Sequence, residues 1–324
     1  MMPALWKNSR IIYPREDAVP GFRMTPFCRD DLVSSLNLEF DNYDKALGAC
    51  EAFFNKRHGC EKKIAYTMSG RDAIALALQA LGLSKTDEIA ILTTSGNYYI
   101  SSCVTKEIEK ICCWKRDITS KSKAILVNHE FGYPYKNIEE LKQHNLPIIE
   151  DCAYSFNSNN VEKTVGLVGD FIVYSFPKFF SMQFGGALVY SNNYCMVEDI
   201  PSDLREILLL SLNANLKLIA DICDKRNLIY EYYEEKFHGN GNNGIMPRFK
   251  KEKHYAPGAY LFSIDKKIDL PKLKDFYYRH GVECSVFYGE NAFYLPLHQN
   301  IYFEHVDYFM DLFNYFRANI NDIE

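Results

Sequence analysis

From about residue 60 to residue 191 the chain repeats one alternation, a short apolar run followed by a polar or helix-patterned stretch. The runs read KKIAYTM, DEIAILTT, KICCW, KAILVNH, LPIIED, FIVYSF and GALVYS, and RDAIALALQAL and NIEELKQH between them carry helical spacing. Strands interleaved with helices predict an α/β domain, with a mainly parallel seven-stranded sheet flanked by helices. A ligand of such a sheet lies beyond the carboxyl ends of the strands. The polar residues gather there: Ser69 and Gly70, Thr93 to Asn97, His129, Asp151 and Lys178.

Residues 202–237, SDLREILLLSLNANLKLIADICDKRNLIYEYYEEKF, read as one long helical stretch, which HGNGNNG then breaks. Beyond it come AYLFSI, the helix PKLKDFYYRHG with Pro271 in its first turn, ECSVFY and the closing helix EHVDYFMDLFNYFRANI. These predict a smaller C-terminal α+β domain. The expected division is an N-terminal segment over 1–58, a large domain over 59–237 and a small domain over 238–324. The aromatic residues of the closing helix read as core or as subunit interface.

Composition narrows the classes. A chain of 324 residues exceeds what one hydrophobic core usually serves, about 250–300 residues. An apolar fraction of 47% and a charged fraction of 24% are those of an ordinary globular protein. A net charge of -5 without long like-charged runs gives no footprint for nucleic acid or an anionic membrane. The opening MMPALWKNSRIIYPRED has no apolar segment of signal-peptide length, and no stretch approaches the ~18 apolar residues of a membrane helix, so the expected compartment is the cytoplasm. Ten cysteines without metal-ligand spacing read as reduced, mostly buried small hydrophobes, and no metal site is expected.

Three short stretches carry candidate chemistry. YSFPKFFSMQFGG sets Lys178 among Phe176, Phe179 and Phe180. Such a lysine either lays its stem on the rings with its amine in water, or is a desolvated amine suited to bonding a carbonyl carbon. MSGRDAI puts Ser69 and Gly70 at a helix start, either an ordinary cap or a site whose first N–H groups bind a phosphate. IIEDCAYSF ends a buried strand in Glu150 and Asp151, either a turn-capping carboxylate or the partner of a protonated ring nitrogen. Taken together, helix start, aspartate and lysine follow the order needed to hold pyridoxal phosphate by its phosphate, ring nitrogen and aldehyde.

With YTMSGRDAIALALQALGLSKTDEIAILTTSGNYYISSCV, KAILVNHEFGYP, LPIIEDCAYSF, VGLVGDFIVYSFPKFFSMQFGGALVYS and YLPLHQN in view, the chain resembles the DegT/DnrJ/EryC1/StrS family over roughly residues 45–320. The resemblance implies a fold-type-I pyridoxal 5'-phosphate transferase. Its implied activity is amination of a nucleotide-linked keto-sugar for surface polysaccharide or O-antigen, with an amino donor such as glutamate. It also implies a homodimer whose active sites are shared across the interface. By position Lys178 would bond the cofactor's aldehyde carbon, and Asp151 would face the pyridine nitrogen. Ser69, Gly70 and Arg71 would meet the phosphate, with Ser175 the candidate hydroxyl. His129 and His298 would face the substrate. Tyr154 stands where relatives carry glutamine and would hydrogen-bond the ring oxygen. TTSGNYYISS has an extra residue, which leaves Asn97 or Tyr98 as the residue stacking on the ring. The segment before Lys178 is shorter than usual. The alternative implied reading is a non-catalytic regulatory or structural homologue that binds the cofactor.

Overall fold

The computed structural model describes residues 20–28, 43–98, 100–196, 198–238, 244–264 and 268–319. Its contacts divide the chain into two units. The larger takes the described parts of Thr25–Asp221 and Lys251–Ala256, and the smaller those of Met1–Met24, Ile222–Lys250 and Pro257–Glu324.

In the larger unit the elements run α1 (Tyr43–His58), β1 (Lys62–Thr67), α2 (Gly70–Ala80), β2 (Glu88–Thr93), α3 (Ser102–Glu109), β3 (Cys113–Lys115) and β4 (Ser122–Asn128). They continue with β5 (Ile148–Asp151), β6 (Phe171–Ser175), β7 (Gly186–Ser191) and α4 (Ser202–Leu216). All seven predicted strands form one sheet, in the order β1-β7-β6-β5-β4-β2-β3. Neighbours from β3 to β6 pair parallel, while β7 runs antiparallel to both β6 and β1. Both faces are covered, which is why the strands read as near-continuous apolar runs. Ala124 and Leu126 of β4 join Ala73, Ile74, Ala77 and Leu78 of α2 in one cluster, and Ile125 and Val127 join Ile138 and Leu141 in another.

The antiparallel β7 shapes the site edge. Its first residue, Gly186, pairs with Ser175 at the end of β6 and with Thr67 at the end of β1. A Cβ on Gly186 would stand 2.7 Å from the carbonyl carbon of Ser69 and from the Tyr174 oxygen, and 2.9 Å from the Gly70 nitrogen. The missing side chain therefore lets the start of α2 sit against the ends of β6 and β7.

Several expectations are corrected. NIEELKQH forms a 3-10 helix, Ile138–His144, bounded by Asn137 and Asn145 in the left-handed conformation. The long helical stretch is two helices, α4 and α5 (Ile219–His238), with a turn at Lys217–Leu218 closed by the Leu218 N–H on the Asn215 carbonyl. No glycine or proline marks it. The division between units falls at Asp221/Ile222 rather than at 237/238. Most of the HGNGNNG break, residues 239–243, lies outside the described residues, as do residues 1–19 of the N-terminal segment. The described part of 43–58 is no separate segment: Phe54 of α1 packs on Tyr66, Phe156 and Tyr174 of the larger unit. Residues 251–256 also belong to the larger unit, where Asn159 donates its N–H to the His254 carbonyl and Ala256 donates to Ser158 Oγ.

The smaller unit contains most of α5, then β8 (Ile245–Pro247), β9 (Ala259–Ile264), α6 (Leu270–Arg279), β10 (Ser285–Phe287), β11 (Ala292–Pro296) and α7 (Phe303–Ala318). Its sheet is antiparallel, in the order β10-β11-β9-β8. Asp269 caps α6 by accepting from the Lys272 N–H, with Pro271 in the first turn as its fixed φ favours. Phe309, Phe313 and Phe316 of α7 are fully buried, so these aromatics form core.

Gly186→Ala tests the close approach. The atoms in its way are mostly backbone and cannot swing aside, so the substitution is expected to destabilise the fold by about 1–3 kcal/mol in urea unfolding. A variant as stable as the parent would show that α2 is not packed this closely.

Candidate active site

The lysine stretch answers its own question by facing two ways. Phe176–Lys178 form one 3-10 turn with Pro177 at its start. Phe176, Phe179 and Phe180 are fully buried and pack on Phe156, with ring centroids 6.1, 5.4 and 4.7 Å away. Lys178 is only partly buried, and its Nζ sits 4.0 Å from the centre of the Tyr154 ring, in cation–π range. Gly185, at φ 114, closes the loop: its N–H donates to the Met68 carbonyl, and its own carbonyl accepts from Phe176.

The start of α2 lies beside this loop. Ser69 is the cap, accepting from the Asp72 N–H and donating to Asp72 Oδ2 at 2.8 Å. The N–H groups of Gly70 and Arg71, in the first turn, have no acceptor within the helix. A Cβ on Gly70 would meet the Cβ of Ser175 at 2.9 Å, so the structure brings Ser69, Gly70 and Ser175 together. Arg71 is exposed.

Asp151 is buried at the end of β5. Its Oδ2 accepts from Asn128 Nδ2 at 2.5 Å and its Oδ1 from the Ala153 N–H at 3.1 Å. Among the described residues no cationic side chain pairs with it. A carboxylate kept from water with only neutral donors suits a cationic ligand atom. Asn128 was missed by the sequence reading, although it stands next to His129 in VNHEFG and directly opposite Asp151 in the sheet register.

Glu150, the adjacent acid, is satisfied by the protein itself. Its Oε1 accepts from the N–H groups of Val168 and Gly169, and its Oε2 from Gly166 and from His129 Nε2 at 3.1 Å. Burial alone would raise this carboxyl. The His129 hydrogen bond, with the Gly169 and Gly166 N–H groups, overcomes it and holds the group below its ordinary value. His129 Nδ1 accepts from the Tyr135 N–H, which puts the ring proton on Nε2, toward Glu150. Both His129 nitrogens are therefore engaged within the protein. Ligand atoms of His129, Glu150 and Cys152 lie within 4.8 Å of one another. The first two are already hydrogen-bonded, and Glu150 braces residues 166–169.

His298 is engaged in the same way. It lies in the smaller unit, with Nε2 on the Arg23 carbonyl at 2.9 Å and Nδ1 accepting from the Asn300 N–H. Burial pushes its pKa down to about 3, so it stays neutral there.

Past β2, Asn97 is buried and Tyr98 is 76% exposed, which separates the two expected ring-stacking residues. Arg116, also missed, fastens this loop: it donates to the Ile91 carbonyl, to Thr93 Oγ1 at 2.9 Å and to the Asn97 carbonyl at 2.8 Å. Across the loop Glu130 Oε2 accepts the Ser95 N–H at 2.6 Å. Phe131, next in the chain, holds φ 52 and ψ 24 and sets its ring 5.4 Å from that of Tyr154.

Among the described residues, one edge of the sheet thus gathers helix N–H groups without an acceptor beside a hydroxyl, a buried carboxylate without a cation, and an amine on an aromatic wall. Such a donor set fits a ligand carrying an anion, a basic ring nitrogen and a carbonyl carbon.

The Glu150 brace has a pH signature. Because its folded pKa is lowered, its contribution is present above the ordinary value of 4.5 and is lost as pH falls through the folded one. Glu150→Gln is expected to lose about 1–3 kcal/mol at pH 7 in urea unfolding and to show a shallower acid decline than the parent below about pH 4.5. Equal stability at pH 7 would mean the brace adds nothing.

Residues 109–198 match the model of the DegT/DnrJ/EryC1/StrS aminotransferase family. The chain is 36% identical over 127 residues to GDP-perosamine synthase of Escherichia coli O157:H7, covering 33% of this chain and 34% of that one. It is 31% identical over 158 residues to GDP-perosamine synthase of Vibrio cholerae, covering 42% of each. These matches span between a third and somewhat over two fifths of the relatives' length. The fold is similar along nearly the whole chain to that of the aminotransferase TlmJ from Streptoalloteichus hindustanus, at a TM-score of 0.73 and 16% identity over 94% of this chain and 100% of that one. The segment that carries Asp151, Tyr154 and Lys178 is thus similar to the DegT/DnrJ/EryC1/StrS aminotransferase family, and the chain has the fold of a solved aminotransferase.

Proposed function

We propose that the protein is a pyridoxal-phosphate-dependent aminotransferase that converts a nucleotide-linked keto-sugar to an amino-sugar, for surface polysaccharide. One observation carries this reading: Asp151 is buried without a cation on the same sheet edge as the α2 start and Lys178. The perosamine-synthase names of the relatives support the sugar substrate. When bound, pyridoxal phosphate supplies an aldehyde carbon that bonds amines and a protonated ring that takes up the electron pair of a breaking C–H bond.

The chain's own residues have separate tasks. Gly70 and Arg71 N–H groups with Ser175 would hold the phosphate, using the positive end of the α2 dipole. Asp151 would keep the proton on the ring nitrogen, and Asn128 fixes which way that carboxylate faces. Lys178 Nζ would take the proton from the α-carbon of an amino donor such as glutamate in the first half-reaction and, after the keto acid leaves, would supply a proton to the sugar carbon that gains nitrogen in the second. The Tyr154 hydroxyl would donate to the ring oxygen, and Asn97, the buried one of the two candidates, would lie against the ring. The same reading places the protein in the cytoplasm as a homodimer. No described helix is long and apolar enough to cross a membrane.

Incubation of the loaded protein with glutamate and a nucleotide-linked keto-sugar is expected to give 2-oxoglutarate and the amino-sugar. Lys178→Ala should lower that rate by roughly 10²–10⁴-fold, and Asp151→Asn should weaken cofactor retention and stop turnover. Bound cofactor with no amino transfer to any such sugar would overturn the enzymatic reading in favour of a regulatory homologue. Light scattering at micromolar protein should report a dimer, and a fully active monomer would remove the shared-site proposal.

A further inference from the structure

We propose that Phe131 is a positioning residue for the Lys178 amine, acting through the ring of Tyr154. Phe131 takes the left-handed conformation, φ 52 and ψ 24, which glycine adopts freely and a bulky side chain adopts only at a cost. Its neighbour Gly132 is also left-handed, at φ 87, so the turn needs this backbone shape at two successive residues. Glycine would serve the turn better at 131, yet an aromatic ring stands there. Strain of this kind collects where a site needs a particular side chain in a particular place.

The surrounding bonds hold the turn in that shape. Glu130 Oε2 accepts from the Ser95 N–H at 2.6 Å, and the Glu130 N–H donates to Thr94 Oγ1. Thr94 Oγ1 donates to the Tyr133 carbonyl at 2.6 Å, and the Tyr133 N–H donates to the Glu130 carbonyl at 2.8 Å. The ring thus fixed lies 5.4 Å from Tyr154 at 44°, within the range of favourable aromatic pairs. Tyr154 in turn carries the Lys178 ammonium 4.0 Å from its ring centre. Phe131 is itself partly exposed, so burial of its own surface does not account for the choice. It backs the ring on which the amine docks, and the loop after β4 thereby reaches the reactive amine of the loop after β6.

This inference rests on Lys178 being the reactive amine, and its test needs no cofactor. The full ligand-free chain is treated with limiting trinitrobenzenesulfonate at pH 8, and labelling of each lysine is followed by peptide mass spectrometry. Phe131→Gly relieves the backbone strain, so its melting temperature is expected to equal or exceed the parent's. With the wall loosened the amine leaves the ring face, and Lys178 labelling is expected to rise about threefold, the scale of a partly exposed cation–π contact, while other lysines keep their rates. Phe131→Tyr should restore the parent rate. If Phe131→Gly does not fold, Phe131→Leu gives the same reading, with bulk but no ring. Unchanged Lys178 labelling in the folded Gly or Leu variant would overturn the proposal and leave Phe131 as a turn residue. Failure of the protein to take up pyridoxal phosphate would overturn the cofactor reading and leave this result standing.

Discussion

Two adjacent acids, Glu150 and Asp151, end the same buried strand, and the site depends on their unequal treatment. A carboxylate removed from water is stable only when other groups replace its hydration. Three backbone N–H groups and His129 do this for Glu150, which fastens residues 166–169 beneath β6. Asp151 receives one amide and one N–H, and no cationic side chain among the described residues. Successive side chains of a strand point to opposite faces, so one acid serves the framework and the next is left for a ligand.

The rest of the edge is assembled by close backbone packing. Gly186 and Gly70 let β7, β6 and the α2 start approach to a distance that side chains would forbid. This puts Ser175 beside the first N–H groups of the helix. The loop from β6 to β7 is anchored by three phenylalanines that enter the core around Phe156, and Lys178 is the residue this anchoring turns outward. The lysine's position is thus set by the burial of its neighbours, and its amine is steadied by Tyr154.

The strands were legible because each is a compact apolar run ended by a polar residue, and Asp151 and Lys178 were legible as those ends. What pairs with what was not. Glu150 and His129 stand 21 residues apart, and His298 and Arg23 stand 275 apart. Motif matching therefore did not reveal the backbone and carboxylate partners that engage both histidines. Arg116 and Asn128 look like ordinary polar residues in sequence; their roles come from the β2 loop and from the register of β4 on β5. Left-handed Phe131 is a bulky residue that its neighbour Gly132 does not single out, and the helix break at Lys217–Leu218 carries no glycine or proline to announce it. The unit division inside α5 was hidden for the same reason.

The central claim is that this edge holds an aldehyde-bearing cofactor by Lys178. Incubating the protein with pyridoxal phosphate, reducing it with borohydride and mapping the peptides by mass spectrometry tests it most directly. The account predicts a single pyridoxyl group, on Lys178, while a label on Lys163 or Lys217, or none at all, would contradict it.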